Sequence, residues 1–457
     1  MVLKKNNYKR YLLLSIFITL VLELAIIIQY SLPRLSLITF GLTVLVSVMV
    51  YTKKSQMHFA TWWLYIYLIC SFLIVACFKY IPYKFGLGSD SISNRDFLAL
   101  AKVSINVMFV FFCSVFIFNN TQNRRKCVVT TDIIPYINEN ALFIIAYILT
   151  LISFVLGLGR MGSEEHELPF HLTGIIHFLR TNIVPICALF VYARNKKEGK
   201  SNSRFIIWFF VWTLLEMFVR MSKGFLLRSF FPIIFFEFIC GESNYKRILR
   251  RFSPMVIVFF LMYPVIESMR HMDSFNAAVN DAYSSQEDDG ESGTYTNPSA
   301  RDFLVRPFNR TFYSGYLFVK DQSYVDDNSL FDFSKMPVIL AMQGSARYQT
   351  RIIDGYPEGL AHSSGTTSLV DAFLVGGYGL MYIQLVILTL LAVFIDKIVK
   401  SRYNNVLSAI LVLFFWDLVP RESFSGFVAP MYIRSVFMYL LIIFITWRII
   451  EKKKDSA

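Results

Sequence analysis

Apolar and polar positions along this chain fall into long blocks, and the block length is the first informative quantity. Apolar runs of about 17 to 25 residues recur with short polar links between them, and each run matches one crossing of a hydrocarbon core about 30 Å thick at about 1.5 Å per helical residue. The runs fall at about 11–29, 35–51, 59–79, 97–118, 141–158 and 174–193. A seventh and an eighth form a tight hairpin around Lys223, and more follow at about 253–268, 369–395, 405–420 and 431–449. The pattern breaks once, from Glu267 to Ser368, where a polar stretch is too long to be a simple link. The fold class predicted is an all-α polytopic integral membrane protein with about 12 transmembrane helices. Its parts are helices 1–9 over 1–268, one large extracytoplasmic loop with amphipathic helical content over 269–367, and helices 10–12 over 368–457.

Composition agrees with that class and excludes a soluble one: 55% of the residues are hydrophobic and the mean hydropathy is +0.50. The net charge of +13 changes the picture only through its distribution. Lys4, Lys5, Lys9 and Arg10, then Lys53 and Lys54, Arg124 to Lys126, Arg194 to Arg204, Lys246 to Arg251, and Lys452 to Lys454 all fall in alternate links. That is the positive-inside pattern, so the expectation is two cytoplasmic termini and an extracytoplasmic long segment, with no nucleic-acid partner. The first apolar run lacks a small-residue cleavage site, so no cleavable signal is expected. The cysteines lie in or beside the spans and imply no disulfide framework.

Charges inside or at the ends of apolar runs are the candidates for chemistry, because an ionisable group in hydrocarbon costs several kcal/mol unless paired or wet. Arg180 lies in the sixth run; Glu216 and Arg220 stand four apart near the end of the seventh, a spacing that suits an ion pair on one helix face. Arg228 is flanked by Leu226, Leu227, Phe230 and Phe231. Residues 300–320 place Phe303, Phe308, Phe312, Tyr316 and Val319 at near-helical spacing beside Arg306 and Arg310, predicting an amphipathic helix on the outer membrane surface. Arg347, Arg351, Asp354, Glu358 and His362 sit among glycines in a loop suited to shaping a pocket. Gly376, Gly377 and Gly379 permit a kink or a close helix approach. Asp417 precedes Arg421 by four residues, Glu422 follows at once, and Arg434 opens the last run. The link with Glu164, Glu165, His166, Glu167 and His171 matches no zinc spacing and reads as solvated; no metal and no cofactor are expected.

Arginines thus converge on one side of the membrane from the hairpin, the long segment and the last two runs. They suit a phosphate-bearing ligand at the outer leaflet, since arginine forks hold a diphosphate and stabilise the charge it gains as it leaves. A sugar on a lipid diphosphate is such a substrate, and a carboxylate or histidine beside it would accept the proton of an incoming hydroxyl.

The text Arg220-Met-Ser-Lys-Gly-Phe-Leu-Leu-Arg228, then Gly344-Ser345-Ala346-Arg347-Tyr348 with Glu358-Gly359-Leu360-Ala361, and Arg421-Glu422-Ser423-Phe424 with Arg434-Ser435-Val436, resembles the bacterial O-antigen polymerase family. The resemblance implies a metal-independent glycosyltransferase of the bacterial inner membrane that polymerises oligosaccharide repeat units carried on undecaprenyl diphosphate. It implies that Arg220, Arg228, Arg421 and Arg434 hold diphosphates, with either Arg220 or Arg228 as the hairpin arginine. Arg306, Arg310, Arg347 and Arg351 would close over the glycan, and His362 or Glu422 would serve as base. The partners implied are undecaprenyl-diphosphate-linked oligosaccharide and membrane lipids, with a chain-length regulator as a further candidate. A lipid-linked oligosaccharide flippase and an O-antigen ligase are the alternatives of similar anatomy.

Overall fold

The computed structural model describes residues 5–52, 57, 59–78, 94–120, 134, 136–158, 168, 172–220, 225–240, 248, 250–262, 265–266, 269, 315, 317–319, 321–322, 329–342, 344–353, 367–401 and 405–419. Among them the regular structure is helical, with no strand. In order come α1 (Lys5–Tyr30), α2 (Arg34–Thr52), α3 (Phe59–Cys77), α4 (Asn94–Asn120), α5 (Glu139–Val155), α6 (Leu172–Lys197), α7 (Ser203–Val219) and α8 (Phe225–Cys240). Residues 250–262 are also helical. The short α9 (Met336–Ala341) and α10 (Ser345–Tyr348) precede the long α11 (Ser368–Ser401) and α12 (Asn405–Leu418). Six of these helices, α1, α2, α3, α4, α6 and α11, are long and apolar enough to cross a membrane, and the chain is a membrane-embedded helical protein. The expected run at 431–449 lies outside the described residues.

Helix is the form that satisfies every backbone N–H and C=O within one segment in hydrocarbon. Ends and breaks are where other groups must take over. Asn138 caps α5, its Oδ1 accepting from the N–H of Asn140 at 3.0 Å and of Ala141 at 3.3 Å. Gly199, at φ 68°, closes α6 in the left-handed conformation, and Lys200 donates back to the Asn195 carbonyl at 2.8 Å. The bundle exposes Leu, Ile and Phe on α1, α2 and α5, as a lipid-facing surface does. The buried face of α2 is small and hydroxylic, with Ser36, Thr43 and Ser47, which lets neighbouring helices approach closely.

α11 organises the two ends. Near its C terminus Asp396 accepts from the Ala60 N–H at 2.9 Å and the Thr61 N–H at 3.1 Å, so one carboxylate caps α3 across the bundle. The next residue, Lys397, donates to the Phe118 carbonyl at the end of α4, at 3.0 Å. At the other end α11 breaks at Gly376 and Gly377, the second at φ 72° and ψ −164°, which only glycine adopts readily. The freed backbone is satisfied by the segment before α9: Gly379 donates to the Leu330 carbonyl at 2.7 Å, and the Asp332 N–H reaches Gly376 O at 3.4 Å. The Phe331 ring lies so close over Gly379 that an added Cβ would stand 2.4 Å from it. The glycine cluster therefore supplies both the kink and the close approach expected of it.

The expectation of a surface helix over 300–320 fares differently. Residues 300–314, with Arg306 and Arg310, lie outside the described residues. Leu317, Phe318 and Val319 are buried, with Phe318 packed 4.6 Å from the Phe373 ring and 6.4 Å from Phe72. Gly315 lies against the Ser71 carbonyl, where a Cβ would stand only 1.9 Å from the oxygen. This part of the long segment is core, because its aromatic face meets α3 and α11 rather than lipid.

Phe59 at the start of α3 packs 6.3 Å from Phe238 near the end of α8. The C terminus of α8 therefore sits at the Asp396 end, and its first residue, Phe225, at the Gly376 end. Basic side chains gather at the Asp396 end. There Glu237 accepts from Lys196 at 3.1 Å and from the Tyr192 hydroxyl at 2.6 Å, while Arg251 donates to that hydroxyl at 3.1 Å. Lys200, 2.6 Å from Glu198, holds that exposed carboxyl below its ordinary pKa.

Candidate functional site: an arginine cluster around a π turn

Within α6 the helix widens to a π turn over Leu179–Ile183. A π turn adds a residue to one helical turn and so directs the side chains around it onto faces a regular helix would not give them; such turns recur at functional sites. Three arginines from three helices gather at residues 177–182, in and just before this turn.

Arg180 belongs to the turn itself. Its Nε donates to Glu216 Oε1 at 2.8 Å and its Nη2 to Oε2 at 2.7 Å, a two-pronged pair buried completely between α6 and α7. From α5, the Thr150 hydroxyl is hydrogen-bonded to Glu216 Oε1, and the Trp212 indole N–H donates to that hydroxyl at 3.0 Å. The four-residue spacing of Glu216 and Arg220 suggests a pair along one helix, and the structure corrects this. The Arg220 backbone N–H donates to the Glu216 carbonyl at 3.0 Å, closing the helix, while the Glu216 carboxylate is taken by Arg180.

Arg220 is only 5% exposed. Its Nη2 lies 3.3 Å from His177 Nε2, and its guanidinium stacks 4.9 Å over the Phe225 ring. A guanidinium has no acceptor, so Nε2 is the acceptor here and the imidazole carries its proton on Nδ1. Arg228, half-buried in the first turns of α8, donates to Asn182 Oδ1 at 3.2 Å, and Asn182 Nδ2 donates to the Thr181 hydroxyl at 2.8 Å. Arg220 and Arg228 thus come together on one stretch of α6 at the Gly376 end, held by neutral groups that fix their forks in place.

Arg347 and Arg351 form a second group, on α10 and its π-helical extension Gln349–Ile353. Arg347 is exposed and Arg351 half-buried. Between them Gln349 is buried and donates to Asp321 at 2.8 Å, tying this element to the core. Among the described residues its principal neighbours are α9 and α11. Arg306, Arg310, His362, Arg421, Glu422 and Arg434 lie outside the described residues, as do Glu164, Glu165, His166, Glu167 and His171.

One group went unread in the sequence. Glu23 lies in α1, 0% exposed, and neither carboxylate oxygen has a hydrogen-bond partner among the described residues. One turn earlier Thr19 shares a 2.7 Å hydrogen bond with the Tyr65 hydroxyl, which also donates to the Ser15 carbonyl. A lone acid between Leu22 and Leu24 in an apolar run was the available signal.

Compared with protein-family models, curated proteins and solved structures, the chain matches none.

Proposed function

We propose that this protein polymerises oligosaccharide repeat units carried on a lipid diphosphate, at the extracytoplasmic face of a bacterial inner membrane. The observation that carries the reading is the convergence of Arg220 and Arg228 on residues 177–182 of α6, beside and within its π turn, two oriented guanidinium groups at one end of a helical bundle. The opposite end carries Arg194, Lys196, Lys197, Lys200, Arg250, Arg251 and Lys397. By the positive-inside rule this reading makes that end cytoplasmic and turns the arginine cluster outward; two cytoplasmic termini are part of the same reading of the sequence. In the proposed reaction the bond between the anomeric carbon of the growing glycan and its diphosphate oxygen breaks, and a hydroxyl of the incoming lipid-linked unit forms the new glycosidic bond. Its proton passes to a base, His362 or Glu422, and undecaprenyl diphosphate leaves. Arg220 and Arg228, with Arg421 and Arg434, hold the diphosphates; Arg306, Arg310, Arg347 and Arg351 close over the sugar chain.

A second reading, a lipid-linked oligosaccharide flippase, is favoured by Glu23, since an acid deep in a span is characteristic of transport pathways.

The test is the surface-glycan ladder of cells lacking the protein, complemented by wild type, Arg220→Ala or Arg228→Ala at matched membrane levels. Each charge-assisted hydrogen bond to phosphate contributes about 1.5–3 kcal/mol, so each variant should lower polymer yield about 10- to 100-fold. The deletion should leave a single capped repeat. Accumulation of repeat units on the cytoplasmic leaflet would establish the flippase instead, and polymer complete on its carrier but untransferred would establish a ligase.

A further inference from the structure

We propose that residues 329–342, the segment that straps the break in α11 together with α9, dock in the headgroup layer of the bilayer and bind anionic phospholipid there. The inference holds whichever reaction the protein carries out.

Depth is the first step. Between the break at Gly377 and Asp396 the helix advances about 30 Å at 1.5 Å per residue, the thickness of the hydrocarbon core. Asp396 and Lys397, bound to helix ends, mark one boundary of that core, so the break marks the other. Hydrogen bonds from Gly379 to Leu330 and from Asp332 to Gly376 fix the strap at the depth of the break.

Chemistry is the second. The strap buries Ile339 and turns Leu330, Phe331, Phe333 and Val338 outward, each between 45% and 59% exposed, with Phe331 and Phe333 stacked at 6.1 Å. Left in water, such side chains would forfeit about 25 cal/mol for each Å² of apolar surface. Lys335, paired with Asp332 at 3.2 Å, lies within the strap, and Arg347 and Arg351 stand on α10, which packs against α9, and on its extension. Apolar residues flanked by Lys and Arg at a membrane boundary suit the plane where acyl chains meet anionic headgroups.

The test uses full-length protein in nanodiscs of phosphatidylethanolamine with phosphatidylglycerol, with p-benzoylphenylalanine replacing Phe331 or, separately, Val338. Ile148, exposed on α5, and the fully buried Phe373 serve as lipid-facing and core controls. Irradiation should give intact phospholipid adducts by mass at 331 and 338, as at 148 and unlike 373. Phosphatidylglycerol adducts at 331 should exceed its share of the lipid at least twofold, and should not at 148. Adducts only to peptides of this chain, or none at 331 and 338 while 148 labels, would overturn the docking; adducts in proportion to lipid composition would overturn the preference for anionic lipid.

Discussion

Two buried glutamates in this bundle have equal exposure and opposite surroundings. Glu216 receives both prongs of Arg180 and the Thr150 hydroxyl, so α5, α6 and α7 meet on one carboxylate. Glu23, equally buried in α1, has no hydrogen-bond partner on either oxygen among the described residues, though the Thr19 and Tyr65 hydroxyls stand one turn away. Burial of an acid in an apolar helix is therefore not by itself a sign of function. An acid with a complete set of partners is a fastening, here the one that holds the π turn of α6 against α7 while His177 and Asn182 position Arg220 and Arg228. An acid without hydrogen-bond partners among the described residues contributes nothing evident to the fold.

The sharpest way to break the contrast is Glu216→Gln. It leaves the Arg180 guanidinium buried opposite a neutral amide, and severing such a pair costs about 3–5 kcal/mol. Denaturant or thermal unfolding of the purified protein in detergent should register that loss. The double variant Arg180→Met with Glu216→Leu, which removes both charges and keeps the volume, should recover most of it. A single-variant loss below about 1 kcal/mol would mean that the pair is not a fastening.

A smaller effect sharpens the same point. The Thr150 hydroxyl has one proton and two acceptors within reach, the Ala146 carbonyl at 2.8 Å and Glu216 Oε1, and the bond to the carboxylate is the stronger. Thr150→Val keeps the shape but removes that bond and strands the buried Trp212 indole N–H, at a cost of about 1.5–3 kcal/mol. Thr150→Ser keeps the hydroxyl and should lose less than about 1 kcal/mol in the same unfolding measurement.

What the sequence made legible follows the same division between local and distant causes. Six helices of spanning length, of the about 12 expected, were readable because block length answers directly to bilayer thickness, and the break in α11 because Gly376 and Gly377 permit a backbone that other residues resist. The partner of Glu216 was not, since four-residue spacing describes one helix only, while Arg180 arrives from another with better fork geometry. The π turn of α6, the cap that Asp396 places on α3, and the burial of Phe318 depend likewise on residues far apart in the chain. Of the expected arginine constellation, Arg220 and Arg228 both reach residues 177–182 of α6, while Arg347 and Arg351 stand on α10 and its extension, whose principal described neighbours are α9 and α11.

The smallest expected effect on stability decides most about function. A charge on Glu23 would have no partner among the described residues, and placing one there costs several kcal/mol. Glu23→Gln keeps the volume and cannot carry that charge, so the unfolding free energy should stay within about 1 kcal/mol of wild type or rise slightly. A loss near that of Glu216→Gln would mean that Glu23 has a structural partner after all, and the contrast between the two acids would fall. With stability preserved, the glycan ladder becomes informative. If polymerisation depends on the arginine cluster alone, Glu23→Gln cells make a full ladder. If translocation through the bundle is the activity, the ladder disappears although the protein is folded and present in the membrane, because a buried acid in α1 has lost its ability to bind and release a cation or a proton.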